Sequence, residues 1–436
     1  MKRKNRLNGF TLQELLVVIT VLIILCSLIF PCIPSMGEGY FSKLFKVIFH
    51  NIGFWILLFV ATIFGLYRKL TNPNEFLWSE LPIQIGVSAV SVLGLFAIFF
   101  TTSTDLSDTE VWNGYVEKAE YYEEWTEKTV TKDSKGKKRT SYTHHPAEWK
   151  LKTTAGALTI DRSVYRNYRA RFGDEKKKYL HHSDQSSVGD GNMYYVKCNA
   201  NTRDLLPASV SHRFVNYLRA SDSIKKIQGS ISGFKDFLMP YPEVHNGPYG
   251  QIEFNRVVEA GINLPSNWKK TVNDLLNREL MTLGAAKQVN IIVYVAGTSD
   301  ARFADALKES WIDGKKNDVI VILGVTKFPE IKWARVMAWT KIEEFKISLR
   351  NDLLDLKTIA DSKALTSLIV NDINRPGEKG GFVRTPMSEL EYLIADISLP
   401  WWCQVLIALL GGGVSWGTSW FLINNNWRES RWGFRL

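Results

Sequence analysis

Four apolar runs, at residues 10–31, 50–67, 82–100 and 401–423, constrain this chain more than any other feature. A bilayer's hydrocarbon core, roughly 30 Å thick, is crossed by about twenty apolar residues at helical rise. A helix is the form in which such a segment pairs its own backbone groups away from water. The second run is the shortest, but Phe54, Trp55 and Tyr67 stand at its ends, where aromatic side chains suit a lipid–water boundary. The fourth opens with Trp401 and Trp402, and its Gly411, Gly412 and Gly413 are expected to admit a neighbouring helix closely. The sequence therefore predicts a multi-pass α+β membrane protein with four transmembrane helices. Three precede residue 103, and one opens the segment 400–436, which ends in a cytoplasmic tail.

Charge supplies the orientation. The formal net charge is +10, but many of the basic residues sit in short flanks of the apolar runs. One placement puts Lys2, Arg3, Lys4, Arg6, Arg68, Lys69, Arg428, Arg431 and Arg435 on one side, against Lys43 and Lys46 on the other. Positive charge is retained on the cytoplasmic side, so both termini are expected there and residues 103–399 outside, in the periplasm of a Gram-negative cell. Membrane topology thus accounts for the basic balance, and no nucleic-acid partner is expected. Of the four cysteines, only Cys198 lies in the intervening region, which excludes a disulfide framework there.

That region reads as two parts joined by a connecting segment at 201–264. Residues 103–200 are rich in aromatic and β-branched residues and predict strands, the first over 111–116. The stretch 132–139 has the composition of a hairpin tip, and 174–190 that of a long exposed loop. His144 and His145, like His181 and His182, are adjacent in sequence, so in a strand each pair points to opposite faces. From 265 to 399 the period changes. A helix is predicted from Pro265 to a stop at Gly284, a buried strand over 289–295 and a helix over 301–311. A second buried strand follows over 318–324, a further strand over 331–338 and a helix over 343–356. Two buried strands joined by a helix imply a parallel pair.

Three sets of residues carry resemblances. Gly9-Phe10-Thr11-Leu12-Gln13-Glu14-Leu15-Leu16-Val17-Val18, preceded by Lys and Arg, resembles the N-terminus of type IV prepilins. The likeness implies cleavage after Gly9, methylation of Phe10 and a subunit-positioning role for Glu14, and hence a pilin-like subunit as one alternative. Further apolar runs would keep such a helix from sliding out of the bilayer, so a signal-anchor helix is the leading reading of this segment. The second motif is Phe303-Ala304-Asp305-Ala306-Leu307 before Trp311, followed by Lys315-Lys316-Asn317-Asp318-Val319-Ile320-Val321-Ile322-Leu323. In its helix and strand order it resembles the TPM domain, a family of membrane-tethered α/β modules found outside the bacterial cytoplasm and in thylakoid lumens. The likeness implies a role in assembling or maintaining membrane complexes, with phosphatase activity proposed for some members. A glycine-rich turn of that family is replaced here by Trp333-Ala334-Arg335-Val336-Met337-Ala338-Trp339. Glu110-Val111-Trp112-Asn113-Gly114 and the turn from Gly314 to Asp318 are also similar to membrane proteins of phages and bacteria.

The function expected from these features is an interaction or assembly module in the cell envelope, non-catalytic, with the bilayer and other envelope proteins as partners. The rival is a metal-dependent, phosphatase-like hydrolase. Its site would be Asp300, Asp305, Asp313 and Asp318 converging at the strand ends and binding a divalent cation through oxygen. The competing use of Asp300 is to cap the following helix, and of Asp313 to form the turn at Gly314. Mass spectrometry of the mature N-terminus separates the two readings of the first segment. A signal anchor keeps the residues before Phe10, whereas prepilin-like processing leaves a methylated Phe10 at the start.

Overall fold

The computed structural model describes residues 39–71, 81–132, 137–180, 187–188, 191–199, 205–225, 231–246, 252–312 and 314–424. The first apolar run, Gly9, Phe10 and Glu14, the pair His181–His182, and Asp313 lie outside these residues. The chain divides into two compact units, one of residues 1–109, 213–227 and 386–436, the other of 110–212 and 228–385.

The first unit contains α1 (Tyr40–His50), α2 (Ile52–Thr71), α3 (Leu81–Ser103) and a C-terminal helix, Trp401–Asn424. Among the described residues, α2 and α3 are the two helices long and apolar enough to cross a membrane. The C-terminal helix joins them as a third span only together with the short helix Met387–Asp396, from which it is bent by 79°. Two such helices therefore stand where four were expected, one of the four lying outside the described residues. The second run also starts later than predicted, because α1 is a helix of its own. The break falls at Asn51, which is extended and whose side chain accepts the backbone N–H of Gly53 at 2.9 Å.

Contacts set the directions of the helices. Phe54 meets Phe96 with ring centroids 5.7 Å apart, and Phe99 meets Trp402 at 5.9 Å. The start of α2, the end of α3 and the start of the C-terminal helix thus share one end. Further along, the Gln84 amide donates to the Ala61 carbonyl at 3.2 Å and to the Ser415 hydroxyl. Polarity in this bundle is inverted relative to a water-soluble one. Gln84, Ser88, Ser415 and Ser419 are buried, while Ile52, Phe59, Leu70, Val90 and Leu409 are each more than half exposed. The glycines correct the sequence reading in part. Of the C-terminal triplet only Gly411 faces a neighbour, Val92, and Gly412 and Gly413 face open space. The closest approach is at Gly65, where a Cβ would strike Gln84 and lie 2.8 Å from Leu81.

The second unit is mixed α+β. Its first part carries β1 (Ser107–Tyr122), β2 (Trp125–Lys132), β3 (Lys138–His145), β4 (Glu148–Thr153), β5 (Gly156–Thr159), α4 (Arg162–Phe172), β6 (Lys176–Lys178), β7 (Ser187–Val188), β8 (Met193–Lys197) and β9 (Pro207–Val215). A sheet runs β5-β4-β1-β8-β6, with β9 also on β1, and β3-β2-β7 form a second. Strand β1 is much longer than the predicted 111–116, and the expected loop 174–190 contains β6 and β7. Helix α4 was not anticipated. It buries Tyr165 and Tyr168 against Val116, Ala119 and Leu151, while four arginines face outward. The β2–β3 hairpin has the expected place and pairs Trp125 with His145. There His145 stacks on Trp125 at 4.3 Å and bonds to Glu127 at 3.1 Å, while His144 is exposed.

The α/β part begins earlier than predicted. After β10 (Val244–Asn246) and β11 (Ile252–Phe254), β12 (Val257–Ala260) already belongs to its sheet, inside the segment expected to be a connection. Then come α5 (Ser266–Lys287), β13 (Asn290–Ala296), α6 (Phe303–Ser310), β14 (Asp318–Gly324), β15 (Trp333–Ala338), α7 (Glu343–Leu356) and α8 (Ser362–Asn374). Helix α5 passes Gly284, the predicted stop, and ends at Gln288 in the left-handed conformation. The sheet order is β12-β13-β14-β15, with β12, β13 and β14 parallel and β15 antiparallel. All seven residues of β13 and of β14 are buried, as strands covered on both faces require. Ile291, Val293 and Val295 pack with α5, α7 and α8, and Ile292, Tyr294 and Ala296 with α6.

Placing valine at Gly65 is expected to overpack the bundle at a cost of about 1–3 kcal/mol. Gly412→Val should change stability by less than about 0.5 kcal/mol. Thermal unfolding of the detergent-purified chain, read by tryptophan fluorescence, compares them; equal losses would contradict the packing described.

Candidate functional site

Open α/β sheets take ligands beyond the C-terminal ends of their parallel strands. In this sheet that end is closed by packing. Gly297, after β13, lies directly on the backbone of Gly261, after β12, and a Cβ at Gly297 would collide with the Gly261 carbonyl. Gly324, the last residue of β14, is covered by the indole of Trp333, whose Nε1 donates to the Thr298 carbonyl at 2.9 Å. Trp333 is thus the residue that occupies the crevice.

Of the three candidate aspartates among the described residues, Asp300 and Asp318 stand at opposite ends of the sheet. Asp300 sits in the turn after β13, where it accepts the Arg302 backbone N–H at 3.0 Å and pairs with its guanidinium. Those bonds hold its carboxyl below the usual carboxylate range. Its role is a turn closed on its own neighbour, close to the capping use foreseen, though α6 itself starts at Phe303. Asp305 is exposed on α6. Asp318 opens β14, in register with Asn290 at the opposite end of the sheet from Asp300. Seven strand residues separate these ends, roughly 20 Å. Among the described residues no group of three or more His, Cys, Asp and Glu is placed to hold a metal ion.

What gathers at the Asp318 end is a buried polar network that the sequence reading missed. Arg256, just before β12, is fully buried and uses all five of its N–H donors. Its Nε donates to Asn277 at 2.8 Å, Nη1 to Asn290 and to the Ile291 carbonyl, and Nη2 to Asn113 and to Ser209 at 2.9 Å. Its own backbone N–H bonds to Asn273 at 2.8 Å. The Asn290 amide turns its other end to Asp318 at 2.9 Å, and Asp318 also accepts from Tyr241 and from the Lys315 backbone N–H at 2.7 Å. A guanidinium and a carboxylate are thus linked through one asparagine rather than in direct contact. Burial lowers the Arg256 pKa to about 9 and raises that of Asp318 to about 6. One signal was legible: Asn290 and Asp318 are polar residues opening otherwise apolar strands, and they pair in register.

Two surface features remain. Arg162 and Arg166 on α4 and Lys176, Lys177 and Lys178 on β6 are exposed, and Lys177 lies over the rings of Tyr179 and Tyr194 at 4.8 and 5.4 Å. Beside α4 is a cavity of about 300 Å³ with Leu158, Ile160, Val164, Val244 and Ile252 in its lining and Asp161 and His245 alongside them. Comparison with protein-family models, curated proteins and solved structures returned no match to this chain.

Removing the guanidinium as Arg256→Met leaves Asn113, Ser209 and Asn290 short of partners. It should cost about 3–5 kcal/mol, by analogy with breaking a buried ion pair. Because Asp318 binds its proton more tightly folded than unfolded, its contribution falls as pH rises from 3.8 to about 6. Asp318→Asn should remove that part of the slope, leaving the share of Asp372, also raised to about 6 mainly by burial. Denaturant unfolding of both variants from pH 4 to 7 measures these effects, and an unchanged slope in Asp318→Asn would refute the assignment.

Proposed function

We propose that this is a multi-pass protein of the bacterial cytoplasmic membrane that holds its second unit outside the cytoplasm, as a binding or assembly module of the cell envelope. The observation that carries the reading is the inverted polarity of the helical unit. Serine and glutamine side chains pair inside it while isoleucine, phenylalanine, leucine and tryptophan face outward. Monomeric proteins in water rarely expose apolar surface on this scale, whereas a bundle in lipid is expected to. The shared end of α2, α3 and the C-terminal helix fits the charge asymmetry. Lys43 and Lys46 precede the start of α2, and Arg68 and Lys69 lie in its last turn, which supports that reading.

A binding role is favoured over hydrolysis by two positive features. The sheet end suited to a substrate is filled by Trp333, and the buried carboxylate Asp318 is already committed to Asn290, Tyr241 and Lys315. The exposed cationic strip on α4 and β6 is the surface offered to an acidic partner. The TPM-like order of elements agrees with such a role and belongs to the same proposal.

Carbonate extraction of membranes should leave the chain in the pellet, and a cysteine replacing exposed Tyr142 should react with an impermeant maleimide in intact spheroplasts. Release into the supernatant would defeat the membrane reading, and labelling only after lysis would reverse the orientation. A photo-crosslinking residue at Arg166 or Lys178 is expected to give protein adducts in living cells; no adduct at either position would contradict the binding reading.

A further inference from the structure

Helix α1 is divided lengthwise into three stripes. Tyr40, Leu44, Val47 and Ile48 are buried within the first unit. Phe41, Phe45 and Phe49 recur every four residues and are 40%, 37% and 45% exposed. Ser42, Lys46 and His50 form an exposed polar stripe, with Lys46 paired to Glu391 at 2.7 Å. At about 100° per residue these three sets fall on separate sides of the helix. A helix lying in water against a protein needs only two stripes, one buried and one polar. The third, aromatic stripe requires a second apolar environment.

We infer that α1 is an in-plane helix whose Phe41, Phe45 and Phe49 are seated in the boundary layer of the lipid, with Lys46 and His50 turned to water. The inference rests on the membrane reading proposed above and deepens it. Lipid is the occupant indicated because the stripe is continuous with the lipid-facing surface of the bundle. The Phe49 ring lies 6.1 Å from that of Trp55, an exposed residue in the first turn of α2, and Trp55 Nε1 donates to the Phe49 carbonyl at 2.8 Å. Trp401 and Trp402, at the same end of the bundle, are also exposed. Tryptophan at this level marks the lipid–water boundary, and a helix with an aromatic face and a basic face lies along it.

The test uses the full chain in vesicles of phosphatidylcholine and phosphatidylglycerol, with an environment-sensitive fluorophore on cysteine in F45C, K46C or F59C. The unsubstituted chain, labelled in parallel, supplies the background from native thiols. Phe59 lies midway along α2 and reports the membrane reading itself. Lipids carrying a doxyl group near the headgroup are expected to quench position 45 at least about threefold more than aqueous iodide does, with the order reversed at position 46. Position 59 should respond to a doxyl group deep in the acyl chain. If position 45 is quenched by iodide, or is shielded from both quenchers because residues 10–31 or a second copy cover it, while position 59 still reports lipid, the assignment of α1 is overturned and the membrane reading stands. If position 59 is quenched by iodide, both fall. F49C reads the same stripe should F45C fail to yield a monodisperse protein.

Discussion

A guanidinium removed from water must find every one of its hydrogen bonds in the protein, and Arg256 finds them on β1, β9, α5 and β13. Two of these acceptors, Asn113 and Asn290, stand 177 residues apart in the chain. The requirement that all be present together fixes how the β-rich part and the parallel sheet of the second unit meet. An apolar interface would tolerate small slips; a fork of five donors with defined acceptors does not. Asn113 and Ser209 approach it from the antiparallel side, and Asn290 passes the polarity on to Asp318. Close packing follows from this join: Gly284 of α5 lies on the backbone of Asn113, where any side chain would collide.

The helical unit obeys the opposite rule. Between α2, α3 and the C-terminal helix, Gln84 makes neutral inner contacts, while many large apolar side chains of these helices point away from the protein. In lipid, the hydrophobic effect does not drive helices together, so small residues and hydrogen bonds must do so. Gly65 beneath Gln84, and Gln84 bonded to both Ala61 and Ser415, combine the two devices at one crossing.

Much of the α/β core was legible because its strands are uninterrupted runs of branched residues. β14 is found at 318–324 and α7 at 343–356 as expected, and the parallel pairing of β13 with β14 followed from the helix between them. Less was legible where the signal is short or mixed. Strand β12 has four residues, one of them Glu259, and four of the eleven residues of α4 are arginine, with only Tyr165 and Tyr168 buried. Sequence order placed Asp300 and Asp318 near one another, but residues that end one parallel strand and begin the next lie at opposite edges of the sheet. Arg256 carried no local mark of its role, since each of its partners is ordinary in its own segment. Gly65 was overlooked for a related reason: a lone glycine in an apolar run looks less informative than a triplet, although it is packed more closely than any of the three.

The helix before the second unit and the helix after it start or finish at the same end of the bundle and pack against each other. Within the proposed membrane reading, the module is therefore moored by both of its chain ends. One proteolytic nick in an exposed loop would leave both fragments attached to the bilayer, so shedding would demand two cuts.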